Sequence, residues 1–384
     1  MEIEKTRRNV TYDRIRALAI LLVIEIHCIE GLSYYGILMN QVTVGTVSWL
    51  VQSLLYVLGR LGVPLFLLLT GALMLGRSWE LDGPYLKKRV LPLYIATVFW
   101  SFGYFCVQLY KTGEPIFLTK MVSLFIRSCF LEISHTPHLW YMPVILGVYL
   151  FLPLLSKLAQ AGSTRLLVRS GAIVLLIYTF LPMVNRLFHV LDLGRAIDFS
   201  LSNVRTGCLL TLYPLLILVG YLLRERQILQ KIKSRWLVAM LAGCVAAVMA
   251  LQYISMRKQD TAYGHYFWYD NFFIVLAGIV LFELLSRLPS HEGKGTFLVR
   301  NLSENSLGIY FIHVVIFWGI RQAMATTSWG WPLKFIVAFV GAWLLSWGLV
   351  QLLSQIPGVG WLLFHRRRKR APSPGEEPKS ETLG

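Results

Sequence analysis

The stretch "DRIRALAILLVIEIHC", residues 13–28, has the composition of a membrane helix yet carries Arg16, Glu25 and His27. Ionisable groups at membrane depth are costly and face a protein interior or a wet cavity, so a chemical role is the first hypothesis for each. Imidazole is the side chain best suited to moving a proton near neutral pH. Arg16 and His27 lie eleven positions apart, about three helical turns with an offset of only about 20°, so they share one face roughly 16 Å apart along the axis. Asp13 precedes Arg16 by three residues and is placed to pair with it. The plainer readings are a topology anchor for Arg16 and a histidine satisfied by a neighbouring helix for His27. Glu25 points to nearly the opposite side from His27, and the spacing gives it no role.

Other polar groups recur at helical or clustered spacing. In "SENSLGIYFIHVVIF", Ser306, Tyr310 and His313 stand at i, i+4 and i+7 on one face; they serve either as interhelical glue or as part of a site. "HTPHLWYM" groups His135, His138, Trp140 and Tyr141 at the start of an apolar run. An interfacial aromatic belt accounts for Trp140 and Tyr141, while the two histidines make a saccharide platform the alternative. "LKKRVLP" holds Lys87, Lys88 and Arg89, a topology signal or a clamp for the phosphates of a cytosolic donor. Arg60 lies inside the apolar run "YVLGRLGVPLFLLLTGALML" beside Gly59, Gly62 and Pro64. That run is either a kinked helix packed closely through its glycines or a broken helix beside a site. Pairing with Glu25 or with a carbonyl would also explain Arg60.

The elements that must position these residues are membrane helices. The chain has 384 residues, 56% of them hydrophobic, with a mean hydropathy of +0.59, the range of polytopic membrane proteins. Apolar runs near 15–34, 44–76, 91–110, 139–156, 168–185, 206–223, 236–256, 270–286, 304–325 and 333–353 predict about ten transmembrane helices in an all-α bundle. The net charge is 37 − 20 = +17, but the basic residues punctuate apolar runs on alternate sides. That pattern points to the lipid bilayer rather than nucleic acid as partner and places both termini in the cytoplasm. The five cysteines are scattered without CxxC spacing, so neither a disulfide framework nor a metal site is expected. A transmembrane domain over 1–355 and a basic, disordered cytoplasmic tail over 356–384 complete the organisation.

At these residues the sequence resembles the acyltransferase-3 family of integral membrane acyltransferases. Arg16 and His27 are similar to the family's Arg-x10-His signature. "GVPLFLLLTGALML" resembles its V-P-L-F-F…S-G segment, with Leu67 and Thr70 in place of the usual Phe and Ser. "HLWYM" is similar to H-L-W-[FY], "LVGYLL" to a later G-Y segment, and "SLGIYFIH" to S-x-x-x-Y-L-x-H. Within the family the resemblance is nearest to the branch containing the O-acetyltransferase of enterobacterial common antigen. One departure stands out: Leu86 occupies the first place of the family's Arg-x-x-Arg, and Lys87 and Lys88 do not reproduce a guanidinium fork.

The resemblance implies transfer of an acetyl or other short acyl group from cytosolic acyl-CoA to a sugar hydroxyl of an envelope glycan, in a bacterial inner membrane, with no metal and no permanently bound cofactor. It implies that His27 deprotonates the acceptor or carries the acyl group. Arg16 and the Lys87–Lys88–Arg89 run would hold the donor. Asp13, Arg60, His138, Trp140, Tyr141, Ser306, Tyr310 and His313 would support the acceptor or the site. Whatever captures the acceptor is expected within the bundle or in its outer loops, 112–138, 186–205 and 257–269. A non-enzymatic transporter or flippase of a polar envelope precursor is the competing expectation, because fold-level similarity alone does not exclude it.

Overall fold

The computed structural model describes residues 9–33, 43–133, 136–191, 193, 212–258 and 268–364, and every regular element among them is helical. Helix α1 spans Val10–Ser33, α2 Val47–Gly59 and α3 Gly62–Met74. Helix α4 runs over Gly83–Thr112 and α5 over Leu118–Cys129. A 3-10 turn, Pro137–Trp140, leads into α6, Tyr141–Ala161. Helix α7, Thr164–Leu175, continues through a widened turn into α8, Leu181–Val190. Then come α9 (Tyr213–Glu225), α10 (Ser234–Arg257), α11 (Phe272–Ser286), α12 (Thr296–Ala323), α13 (Trp331–Leu353) and the short α14 (Val359–Phe364).

Local chemistry fixes several of these boundaries. The side chain of Asn271 accepts the N–H groups of Phe273 and Ile274 at 2.9 and 3.2 Å, capping α11. Gly113, at φ +65°, ends α4 in the left-handed conformation that glycine adopts without a Cβ penalty. Asp82 caps the start of α4, and the next turn, Leu86–Val90, is a π-turn, an irregularity often found at functional sites.

Seven helical segments among the described residues are long and apolar enough to cross a membrane: Val47–Met74, Gly83–Thr112, His138–Ala161, Thr164–Asn185, Ser234–Arg257, Thr296–Ala323 and Trp331–Leu353. The sequence led us to expect about ten. Of the remaining three runs, α1 has the length but carries Asp13, Arg14, Arg16, Glu25 and Glu30. The α9 run begins among residues outside the description, and α11 has 15 residues. The polytopic all-α bundle is therefore clear. The expected tail, 356–384, begins with structure: α14 packs on α4, where the Trp100 indole donates to the Leu363 carbonyl at 2.9 Å. Residues 365–384 lie outside the described residues.

The charged helix sits in the middle. Helix α1 packs against α2, α3, α11, α12 and α13, and Ile15, Ala19, Ile20, Ile24, Cys28 and Ile29 are fully buried. The α2–α3 run continues across Arg60 and Leu61, both right-handed. Its glycines give α1 close access: a Cβ on Gly59 would lie 2.6 Å from the Glu25 carboxylate, and one on Gly62 2.8 Å from the Ala19 carbonyl. The close packing through glycine expected of this segment is present, and Arg60 sits where α2 passes into α3.

Helices α3 and α9 interlock through a reciprocal glycine pair. A Cβ on Gly71 would fall on the Ile217 carbonyl, and one on Gly220 on the Leu68 carbonyl. Both obstacles are backbone, which cannot rotate away, and small residues are what let membrane helices approach this closely. Gly71→Val and Gly220→Val should each lower stability by about 1–3 kcal/mol or more, read as a fall in thermal midpoint in detergent. Gly147→Ala on α6, where nothing lies within 4 Å, should leave the midpoint unchanged.

Candidate active site

Three histidines from distant parts of the chain converge. His27 of α1, His138 of the turn before α6 and His313 of α12 have ring centroids 5.1 Å apart for His27–His313 and 6.0 Å for the other two pairs. His138 and His313 are buried, whereas the His27 side chain keeps 23% exposure. His313 turns Nδ1 back onto its own helix, 3.0 Å from the Ile309 carbonyl and 2.8 Å from the Tyr310 carbonyl. Two carbonyls require a donor, so Nδ1 carries the hydrogen and Nε2 the lone pair. That Nε2, like Nε2 of His138, is buried without a hydrogen-bond partner.

Aromatic hydroxyls hold the cluster in place. Tyr310 donates to the His138 carbonyl. Tyr104 lies edge-on to the His138 ring, 4.6 Å between centroids, and donates to the Phe311 carbonyl at 2.8 Å. Tyr310 therefore is interhelical glue, and it also borders the space on the other side of the cluster.

That space is a cavity of about 340 Å³ whose lining includes Arg16, Thr70, Arg89, Tyr141, Ser306 and Tyr310. Arg16 of α1 and Arg89 of α4 supply its cationic side chains, and Phe364 of α14 lines it as well. Arg89 belongs to the π-turn and lies over the Trp79 ring at 5.4 Å, while Lys87 and Lys88 in the same turn are exposed. Among the residues expected to bind a donor, Arg16 and Arg89 are brought together and the two lysines are not. Asp13 accepts a hydrogen bond from Ser303 at 2.7 Å, pinning α1 to α12 below the cavity.

On the opposite side of the cluster, Nδ1 of His27 is 3.8 Å from the carboxylate of Glu30. Arg60, only 4% exposed, forms an ion pair with Glu30 and bonds to the Tyr56 hydroxyl. Its guanidinium lies 4.8 Å from the Trp268 ring and 5.2 Å from Tyr269, within cation–π range. Trp140 joins the same group, 6.1 Å from Trp268 and 5.2 Å from Tyr269. Arg60 thus pairs with Glu30 rather than with Glu25, whose two oxygens are buried without a partner. His135 lies outside the described residues. Glu30, Tyr56, Trp268 and Tyr269 were missed in the sequence, although Glu30 stands at i+3 from His27 and Tyr56 at i−4 from Arg60.

Fold and site together define a polytopic helical membrane protein built around an internal histidine cluster, with an arginine-bearing cavity on one side and a carboxylate–aromatic group on the other. The chain belongs to the acyltransferase-3 family: the family's acyltransferase domain matches residues 9–351, from the start of α1 into α13. No curated protein and no solved structure matches the chain. Among the described residues no group of three His, Cys, Asp or Glu side chains is arranged to hold a metal ion.

The Arg60–Glu30 pair is open to a direct measurement. A double-mutant cycle with Arg60→Ala and Glu30→Ala, followed by unfolding in detergent, should give a coupling of roughly 0.5–3 kcal/mol. Additive losses would show that the two side chains do not interact.

Proposed function

We propose that this protein is a membrane O-acetyltransferase of the bacterial inner membrane. It would move an acetyl or other short acyl group from cytosolic acyl-CoA to a sugar hydroxyl of an envelope glycan, and it is closest in kind to the enterobacterial common antigen branch. The observation that carries this reading is the position of His27: it joins a buried histidine cluster bordered by the Arg16–Arg89 cavity, yet its own side chain stays partly exposed beside Glu30. A group-transfer catalyst needs this separation of donor and acceptor approaches.

In this reaction Arg16 and Arg89 bind donor phosphates, for which a planar guanidinium is well matched. Lys87 and Lys88, exposed on the same turn, add attraction at the cavity mouth. The acyl arm lies along the cavity toward Tyr310. On the other side the sugar meets Glu30 and the rings of Trp140 and Trp268. His27 removes the hydroxyl proton as the oxygen attacks the thioester carbonyl, or first takes the acyl group itself; either way the C–S bond breaks and CoA leaves as the thiol. Both termini would lie in the cytoplasm, a reading that the distribution of basic residues between the apolar runs supports.

Mass spectrometry of envelope glycans from cells with and without the gene should show a loss of one acetyl mass per modified residue. Restoring His27→Ala at matched membrane levels should not bring it back. Wild-type acetylation by that variant would sink the assignment, and purified protein that never releases thiol from acetyl-CoA would favour a transporter. Arg89→Ala should raise KM for acetyl-CoA roughly 10- to 100-fold, the equivalent of about 1.5–3 kcal/mol for a hydrogen bond to a charged group, with expression unchanged.

A further inference from the structure

The tautomer of His313 is set by its own helix, and this has a chemical consequence. With Nδ1–H committed to the Ile309 and Tyr310 carbonyls, only the Nε2 lone pair is left, on the ring edge turned away from the helix backbone. It is fully enclosed and has no partner. The ring nearest to it among the cluster is His27, at 5.1 Å and tilted by 37°, whereas His138 stands edge-on to both at 80° and 83°. His27 in turn presents Nδ1 to the Glu30 carboxylate, so its Nε2 is the edge opposite Glu30. A buried acceptor nitrogen with no donor is an expensive arrangement. Its natural use is to receive a proton that exists only during turnover.

Resting on the acyl-transfer reading above, we propose that His313 is the second half of a proton relay: it takes the acceptor's proton from His27 through Nε2 and delivers it to the departing CoA sulfur. The placement supports this direction of travel. His27 is the partly exposed member, and with Glu30 at its Nδ1 the acceptor hydroxyl is taken at the Nε2 edge. His313 is 0% exposed and sits on α12, whose Ser306, Leu307 and Tyr310 line the donor cavity one and two turns earlier.

The step balances. The acceptor O–H bond breaks and its proton goes to Nε2 of His27, while the oxygen forms a bond to the acyl carbon and the C–S electron pair leaves with sulfur. The proton passes to Nε2 of His313, which retains its Nδ1 hydrogen and becomes imidazolium. That imidazolium protonates the thiolate and returns to its starting tautomer. No oxidant, metal or further reactant is required. The Glu30 carboxylate stands 3.8 Å from Nδ1 of His27, beside the imidazolium that forms at the first transfer, and passage to His313 carries the proton away from the acceptor.

The test uses the purified full-length chain in detergent, acetyl-CoA as donor and octyl glucoside as the hydroxyl acceptor. Single-turnover transfer is followed as a function of the deuterium fraction of the solvent. Wild type should show a curved proton inventory, reporting two protons in flight. His313→Asn keeps an amide N–H placed to reach the Ile309 and Tyr310 carbonyls but has no Nε2. It should lose about 10²- to 10⁴-fold in rate, the usual contribution of acid–base catalysis, and its inventory should become linear while its thermal midpoint stays near wild type. A linear wild-type inventory, an unaltered rate, or a curved inventory in the variant overturns the relay and leaves acyl transfer standing. If His313→Asn does not fold, His313→Gln takes its place; if neither folds, the wild-type inventory decides. Wild-type protein that releases no thiol with octyl glucoside or with extracted envelope glycolipid overturns the acyl-transfer reading and the relay with it.

Discussion

Charged and polar side chains survive at membrane depth only when protein, not lipid, surrounds them, and the architecture is organised around meeting that condition for α1. Five helices enclose it. The one that matters most chemically is α12, which runs parallel to α1 with its polar residues in step. Ser303 meets Asp13, Ser306 shares a cavity with Arg16, His313 faces His27, and the Phe317 ring fills the space over Gly31. Each contact advances along both helices in the same direction. The two polar stripes therefore form one continuous seam rather than a set of separate buried groups.

A seam of this kind needs rigid walls. Helix α3 supplies one, held against α9 by glycines that let backbone meet backbone and against α1 through Gly62. Phe66, Leu69, Thr70 and Leu73 of α3 line the cavity, so the interlock that fixes α3 also fixes the shape of that space. The π-turn of α4 supplies another wall. Within its five residues the chain sorts like charges by direction, Arg89 toward the cavity and two lysines toward the surroundings. A regular helix would also distribute consecutive residues around its axis, but the extra residue in the turn resets which of them faces in.

Much of this was legible in the sequence, for identifiable reasons. Apolar runs located the helices to within several residues, because hydrocarbon thickness dictates their length. The periodicity of 3.6 placed Ser306, Tyr310 and His313 on one face, and the structure finds the first two on the cavity and the third one turn beyond. What periodicity could not supply was pairing between helices. His27, His138 and His313 were each visible, yet nothing in a one-dimensional pattern says that residues 27, 138 and 313 meet. The same limit hid Glu30 behind the more conspicuous Glu25. Both are glutamates in α1, but only tertiary contact reveals that the α2–α3 turn brings Arg60 to one and a glycine to the other.

The unequal exposure of the three histidines is the feature that ties the fold to the proposed chemistry. A thioester is vulnerable to water, so an enzyme that handles one must keep water from the acyl carbon while admitting a sugar hydroxyl. Burying all three rings would exclude the acceptor, and exposing all three would favour hydrolysis. Here one ring is partly open beside a carboxylate and aromatic group suited to a sugar, and two are sealed behind it. Tyr104 and Tyr310 maintain the seal by spending their hydroxyls on backbone carbonyls. Those hydrogen bonds satisfy donors that would otherwise demand water at the same depth. Two of the three rings are thus enclosed and one is partly open, a difference that follows from which element each histidine occupies.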